Sequence, residues 1–148
     1  NAQEVSEKLS LLAAEKILEN LDEILEGKAK FTHQDHSMAT YAKKIEKNEG
    51  KINWNDKAIT IIGKINGLFP TPGAFFSFQG ERYKVLKAEI GNGLGKAGEV
   101  LSNKLEIACH NNNSIKILEI QRQGKNPQKI EEFMLGSKIK KGTILLNA

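Results

Sequence analysis

Gly93-Leu94-Gly95-Lys96-Ala97-Gly98 spells G-x-G-x-x-G, the loop that cradles a pyrophosphate when it opens a helix. Here a strand follows, beginning Glu99-Val100-Leu101, so the segment reads as a glycine loop between strands. It is not a Walker loop either, because Lys96 has neither the earlier glycine nor the following Ser or Thr. His33, Asp35 and His36 carry metal-ligand chemistry, but they sit in a polar, aperiodic stretch, and structural zinc takes four ligands. Cys109 and His110 lie far along the chain at a strand end. Cys109, the single cysteine, sits in an apolar alternation and reads as a buried, inert thiol rather than a nucleophile. Three scattered histidines build no Ser/His/Asp or Cys/His set. No catalytic, cofactor or metal residue is assigned.

Cations remain. Lys43, Lys44, Lys47 and Lys51 cluster ahead of the first apolar block. Arg82, Lys84 and Lys87 lie on one hairpin strand, Arg122, Lys125 and Lys129 surround Gly124, and Lys138, Lys140 and Lys141 precede the last strand. Residues 1–27 hold seven acidic residues against two lysines, a net of −5. Residues 28–148 hold twenty Lys and Arg against eleven Asp and Glu, a net of +9. That asymmetry suits a polyanion-binding domain beside an acidic helix, and equally a lysine-rich solubilising surface. Trp54, Phe69, Phe75, Phe76 and Phe78 have faces on which bases can stack. Trp54, Phe76 and Phe78 are assigned to the core, while Phe75 and Tyr83 stay open between core and stacking.

The elements follow from periodicity. Val5, Leu9, Ala13, Ile17, Leu21 and Ile24 set a helix over residues 5–25, with Gly27 as its stop. Residues 28–50 are polar and charge-dense, a surface linker. Asn55 caps a helix over residues 56–66, with Ala58, Ile61, Ile62 and Ile65 as its face and Gly67 as its C-cap. Pro72-Gly73 fits the centre of a type II turn. Period two then takes over: strands at residues 74–78, 83–90, 98–101, 105–109, 115–121 and 142–146, with a short helix near 129–135. His110-Asn111-Asn112-Asn113 forms a tight turn, and the apolar phase slips between Ile117 and Leu118, which predicts a β-bulge or barrel corner. The fold class is mainly β with helices: a small oligonucleotide-binding-like barrel preceded by a linker and an N-terminal helix. About 95 residues suffice for such a core. No apolar run reaches the ~18 residues of a membrane span, no leader is evident, and one cysteine gives no disulfide, so a cytoplasmic place is expected.

Ala39-Thr40-Tyr41-Ala42-Lys43-Lys44-Ile45, Ile52-Asn53-Trp54 and Gly67-Leu68-Phe69-Pro70-Thr71-Pro72-Gly73-Ala74, in this order and spacing, resemble the linker and C-terminal domain of methionyl-tRNA formyltransferases. Gly98-Glu99-Val100-Leu101 and Gln121-Arg122-Gln123-Gly124-Lys125 extend the likeness over essentially the whole chain. Arg122-Gln123 departs from the proline-alanine that this family often has there. The resemblance implies formyl transfer from 10-formyltetrahydrofolate, a co-substrate of the full-length enzyme, to methionyl-initiator tRNA in translation initiation. The family's Asn, His and Asp lie in an upstream domain. None maps here, and Ser10-Leu11-Leu12-Ala13 matches the family's folate loop only superficially. The implied division is residues 1–27 as the last helix of a catalytic domain, 28–51 as linker and 52–148 as a tRNA-binding barrel. The implied partners are initiator methionyl-tRNA and the upstream catalytic domain, in a monomer inactive by itself. Lys43, Lys44, Arg82, Lys84, Lys87, Arg122 and Lys125 are the expected phosphate contacts. Rival readings are the equivalent module of another formyltetrahydrofolate-using transferase or hydrolase, and a stand-alone nucleic-acid-binding protein.

Overall fold

The computed structural model describes residues 1–110 and 112–146. Asn111 of the expected turn, and residues 147 and 148, lie outside the described residues. The chain divides into two compact units, residues 3–45 and residues from 46 onward, the latter grouping with the first two residues.

The first unit is built on α1, Ala2–Leu25. Gly27 takes φ +69, its N–H donates to Ile24 O, and Lys28 N–H donates to Glu23 O. That pair of bonds is a Schellman stop, and glycine supplies the left-handed residue it requires. No residue of α1 is buried. Residues 26–45 hold one regular turn, a 3-10 helix at His36–Met38, where Asp35 Oδ1 accepts from Ser37 N–H at 2.9 Å and Ser37 Oγ at 2.6 Å.

The second unit opens with a 3-10 turn at Lys47–Gly50, and Glu46 N–H donates to Glu49 Oε1 at 2.6 Å. Ile52 N–H then donates to Phe75 O at 2.8 Å, which ties this segment to the sheet and buries Ile52 and Trp54. Asn53 closes the next turn: its Oδ1 accepts from Asn55 N–H at 3.1 Å and its Nδ2 donates to Asp56 Oδ1 at 3.0 Å. Helix α2 therefore spans Ala58–Gly67 with Lys57 at the N-cap, a correction to the expected Asn55 cap. The turn that Asn53 organises takes up Asn55 and Asp56 before the helix can start. At the other end Gly67 is helical and Leu68 is the C-cap. Ala58, Ile61 and Ile65 are buried, and Ile62 packs beside them half-buried.

Strands β1 (Ala74–Phe78) and β2 (Glu81–Gly91) form a hairpin around Gln79 and Gly80, both at positive φ. That is the turn geometry whose twist matches paired strands. β3 (Glu106–Cys109) and β4 (Asn113–Arg122) pair antiparallel, with Cys109 opposite Asn113. The order is β1-β2-β4-β3, with β5 (Gln128–Lys129) also against β4 and leading into α3, Ile130–Gly136. The predicted phase slip is present: Leu118 is the extra residue on β4, and Leu86 is a second one on β2. Residues 98–101 and 142–146, expected as strands, make only isolated bridges, Glu99 to Ile144 and Val100 to Ile107. Gly98 and Gly142 at positive φ, with Leu105 at φ +53, bend these segments too sharply for a continuing ladder. The sheet is thus five-stranded and open, consistent with an oligonucleotide-binding-like barrel that does not close.

The core runs beneath this sheet. Trp54 and Phe76 ring centroids lie 5.8 Å apart, Phe76 and Tyr83 stack at 5.4 Å, and Tyr83 meets Phe133 edge-on at 5.8 Å. Ile107, Ile115, Ile117, Ile120 and Leu105 fill the space around them with no exposed surface. Each such side chain contributes roughly 1.5–3 kcal/mol on burial. Phe76→Ala is therefore expected to cost about 3–5 kcal/mol in a denaturant melt, whereas Ile59→Ala, at an exposed position of α2, is expected to stay within about 0.5 kcal/mol.

Candidate nucleic-acid interface

Alternation along β2 decides which cations can share a face. Tyr83 and Val85 point into the core, so Arg82 and Lys84 point outward. The register sets Lys84 between Phe75 and Gln121, and Arg82 opposite Ser77. Past the bulge, exposed Lys87 stands opposite Glu119. At the end of β4 the chain turns through Gln123 and Gly124, with Gly124 at φ +70. Gln123 N–H donates to Arg82 O at 2.9 Å, and Gln121 Nε2 donates to Lys125 O at 2.9 Å. The first bond docks the loop against β2 and the second folds it back on β4, and Arg82, Lys84, Gln121 and Gly124 line one shallow depression.

The cations differ in how free they are. The Arg82 guanidinium lies 4.3 Å from the ring centroid of buried Phe75. Lys84 is half-buried: its stem packs over Gly73, where a Cβ would come within 2.6 Å of Lys84 Cδ, and its Nζ donates to Pro70 O at 3.2 Å. Glycine at 73, at φ +81, thus serves both the turn and the lysine above it. Lys87 and Lys125 are exposed. Arg122 stands opposite Tyr83, hence on the other side of the strand from Lys84, and its Nη2 donates to Glu81 Oε1. The second Glu81 oxygen accepts from Tyr83 Oη at 2.8 Å. Lys43 and Lys44 are exposed in the extended segment after the His36–Met38 turn, within the first unit.

Electrostatics sharpen this picture. The Arg122 guanidinium, with help from the Tyr83 hydroxyl, holds the Glu81 carboxyl below its usual range. Arg122 is raised in turn by its bond to Glu81. Burial, then the bond to Glu81, pushes Tyr83 up to about 12. Phe75 and Tyr83, left open between stacking and core, are both buried. Burial also pushes the Cys109 thiol up to about 11, as an inert core cysteine requires. The glycine loop spends its amides internally: Gly93 N–H donates to Ser114 Oγ at 2.8 Å and Glu106 Oε1 at 3.0 Å, and Lys96 N–H to Glu99 Oε2 at 3.0 Å. Carboxylates of this chain stand where a pyrophosphate would have to bind. Sequence reasoning missed Gln121 and Gln123 on the basic face and Glu81 beneath it. Strand register, which sequence does not print, assigns Gln121 and Glu81, and the backbone bond to Arg82 assigns Gln123.

The profile of the formyl transferase C-terminal domain family matches residues 44–138. The chain belongs to this family. It is 63% identical over 147 residues to a methionyl-tRNA formyltransferase of Pelagibacter ubique, covering 99% of this chain and 47% of that protein. It is 40% identical to the corresponding protein of Rickettsia massiliae (97% and 47% covered) and 36% identical to that of Rhodopseudomonas palustris (92% and 45% covered). The chain thus spans about half the length of these relatives. Among solved structures, HypX from Aquifex aeolicus in complex with tetrahydrofolic acid shares the fold: TM-score 0.68 at 22% identity, over 87% of this chain and 24% of that one. No helix among the described residues is long and apolar enough to cross a membrane.

The buried Tyr83 phenol makes a stability prediction. A raised folded value means the stabilisation is complete below about pH 10 and lost as pH rises toward about 12. Thermal melts from pH 9 to 12 are expected to show a steeper alkaline fall for the parent than for Tyr83→Phe.

Proposed function

We propose that this chain is the tRNA-holding part of a methionyl-tRNA formyltransferase. In this reading, residues 52–148 form the tRNA-binding domain, residues 28–51 a linker, and residues 1–27 a helix belonging with a catalytic domain of the same protein. That catalytic domain transfers the formyl group from 10-formyltetrahydrofolate to methionyl-initiator tRNA, in the cytoplasm, as a step of translation initiation. The observation that carries the reading is the 63% identity to a methionyl-tRNA formyltransferase across 99% of the chain. The basic outer face of β2 supports it physically. Lys43, Lys44, Arg82, Lys84, Lys87, Arg122 and Lys125 contact phosphates, and each contact releases counterions whatever the base sequence. Phe75 and Tyr83 are buried, so base stacking on them plays no part. Discrimination among tRNAs by this domain is correspondingly weak.

Two measurements test this. Filter binding or anisotropy with tRNA across a salt series is expected to give a steep log–log slope. Replacing the exposed pair Lys87 and Lys125 by glutamate is expected to weaken initiator and elongator tRNAs by similar factors. It is also expected to flatten the slope by two contacts' worth, roughly 1.4 to 1.8. Unchanged affinity and slope would remove these residues from the interface, and selective loss of initiator tRNA would give the domain a sequence-reading role. Incubated by itself with methionyl-tRNA and 10-formyltetrahydrofolate, the 148-residue chain is expected to give no formylated product, because none of the family's Asn, His and Asp acid–base residues maps onto it.

A further inference from the structure

We propose that the Glu81 carboxylate is a built-in stand-in for a backbone phosphate on Arg122, which nucleic acid must displace to use that guanidinium. The proposal rests on the tRNA-binding reading and adds to it a residue that sets the strength of the interface. Arg122 sits at the end of β4, where it lines both the depression holding Arg82 and Lys84 and a deeper one holding Glu81, Tyr83 and Lys138. A guanidinium matches the planar fork of a carboxylate and the oxygens of a phosphate in the same way, so the two compete for the same N–H groups. Glu81 is well placed to compete. One of its oxygens accepts from Arg122 and the other from the Tyr83 hydroxyl.

Tyr83 is itself fixed, 7% exposed and stacked on Phe76, so the carboxylate is pinned to a rigid phenol rather than swinging free. The ion pair nevertheless remains open to solvent, with Arg122 and Glu81 side chains 46% and 41% exposed. An incoming phosphate can therefore reach the guanidinium and push the carboxylate aside, while Tyr83 and Lys138 still hold or attract it. Glu132 lines the deeper depression too. The two acids balance Arg122 and Lys138, so that depression attracts no anion strongly until Glu81 yields. At the start of binding, Arg122 counts for less than a free cation.

A double-mutant cycle with the 148-residue chain and tRNA tests this: parent, Glu81→Gln, Arg122→Gln and the double variant, each across a salt series. Glu81→Gln is expected to tighten binding roughly two- to fivefold, the size of an exposed ion pair, and to steepen the log–log slope by about 0.7 to 0.9. Arg122→Gln is expected to cost clearly more with glutamine at 81 than with glutamate. Equal losses in both backgrounds, or weaker binding by Glu81→Gln, would overturn the proposal. Should Glu81→Gln fail to melt cooperatively, Tyr83→Phe keeps both charges and removes the pin. Arg122→Gln is then expected to cost more in the Tyr83→Phe background than in the parent, and equal costs overturn the idea. The exposed Lys87 and Lys125 pair separates the two readings. If their substitution leaves binding unchanged, the tRNA interface itself is misplaced. If it weakens binding while the cycle is additive, only the stand-in role of Glu81 falls.

Discussion

The pairing of β2 with β4, and its two offset bulges, is the constraint on which the rest of the domain depends. Val85 faces Ile120, then Leu86 is skipped; Lys87 faces Glu119, then Leu118 is skipped; Ala88 faces Ile117. One extra residue on each strand restores the register, so both strands bend and neither slips for good. A single uncompensated insertion would turn every later side chain of one strand onto the wrong face. With the pair compensated, Tyr83, Val85, Ile115, Ile117 and Ile120 all stay inside. The bend lets a sheet of few strands curl around Trp54, Phe76 and α2 rather than lie flat.

The same pairing places the chemistry. Period-two alternation puts Tyr83 inward and Arg82 and Lys84 outward, so the polar surface and the aromatic core are two sides of one strand. The cations on both sides are braced by neighbours of the same fold. Arg82 rests on Phe75, the Lys84 stem lies over Gly73, and Glu81 bridges Arg122 to Tyr83. Such supports lower the side-chain entropy that long cations lose on meeting a phosphate. They also withdraw part of the charge. Net charge read from composition overstates what the surface offers, because Arg122 arrives already paired.

Much of this was legible in the residues. The apolar rhythm of Val5 to Ile24 with Gly27 marks α1, and alternation marks β1, β2 and β4. The broken phase at Leu118 marks the bulge, because a core-facing pattern fails only where the ladder does. The failures have equally physical causes. Asn55 looked like a helix cap, but Asn53 binds both Asn55 N–H and Asp56, so local side-chain competition delays the helix to Ala58. Residues 98–101 and 142–146 carry strand-like patterns, yet glycines at positive φ reduce them to single bridges. The bulge at Leu86 left no trace, since its neighbours keep an acceptable alternation. Partnerships such as Glu81 with Arg122 are 41 residues apart, and nothing in a linear pattern announces them.

The glycine loop illustrates how far a motif depends on its surroundings. The side-chain ends of Glu106, Ser114, Leu101 and Glu99 lie close over Gly91, Gly93 and Gly95, where a Cβ would push them aside. Side chains of the chain itself thus close over these glycines, where a dinucleotide loop would take a pyrophosphate. The difference is the occupant. In this chain Glu106 and Ser114 take the Gly93 amide, and Glu99 takes that of Lys96. The negative charge such a loop invites is supplied from within, and it anchors the connection that leads from β2 toward β3. Glu81 on Arg122 follows the same logic at the surface: a carboxylate of the chain occupies a donor that suits phosphate. At the loop the carboxylates accept backbone amides and hold structure. At Arg122 the carboxylate holds another side chain instead of a backbone amide, and that pair, with side chains 46% and 41% exposed, is open to an incoming anion.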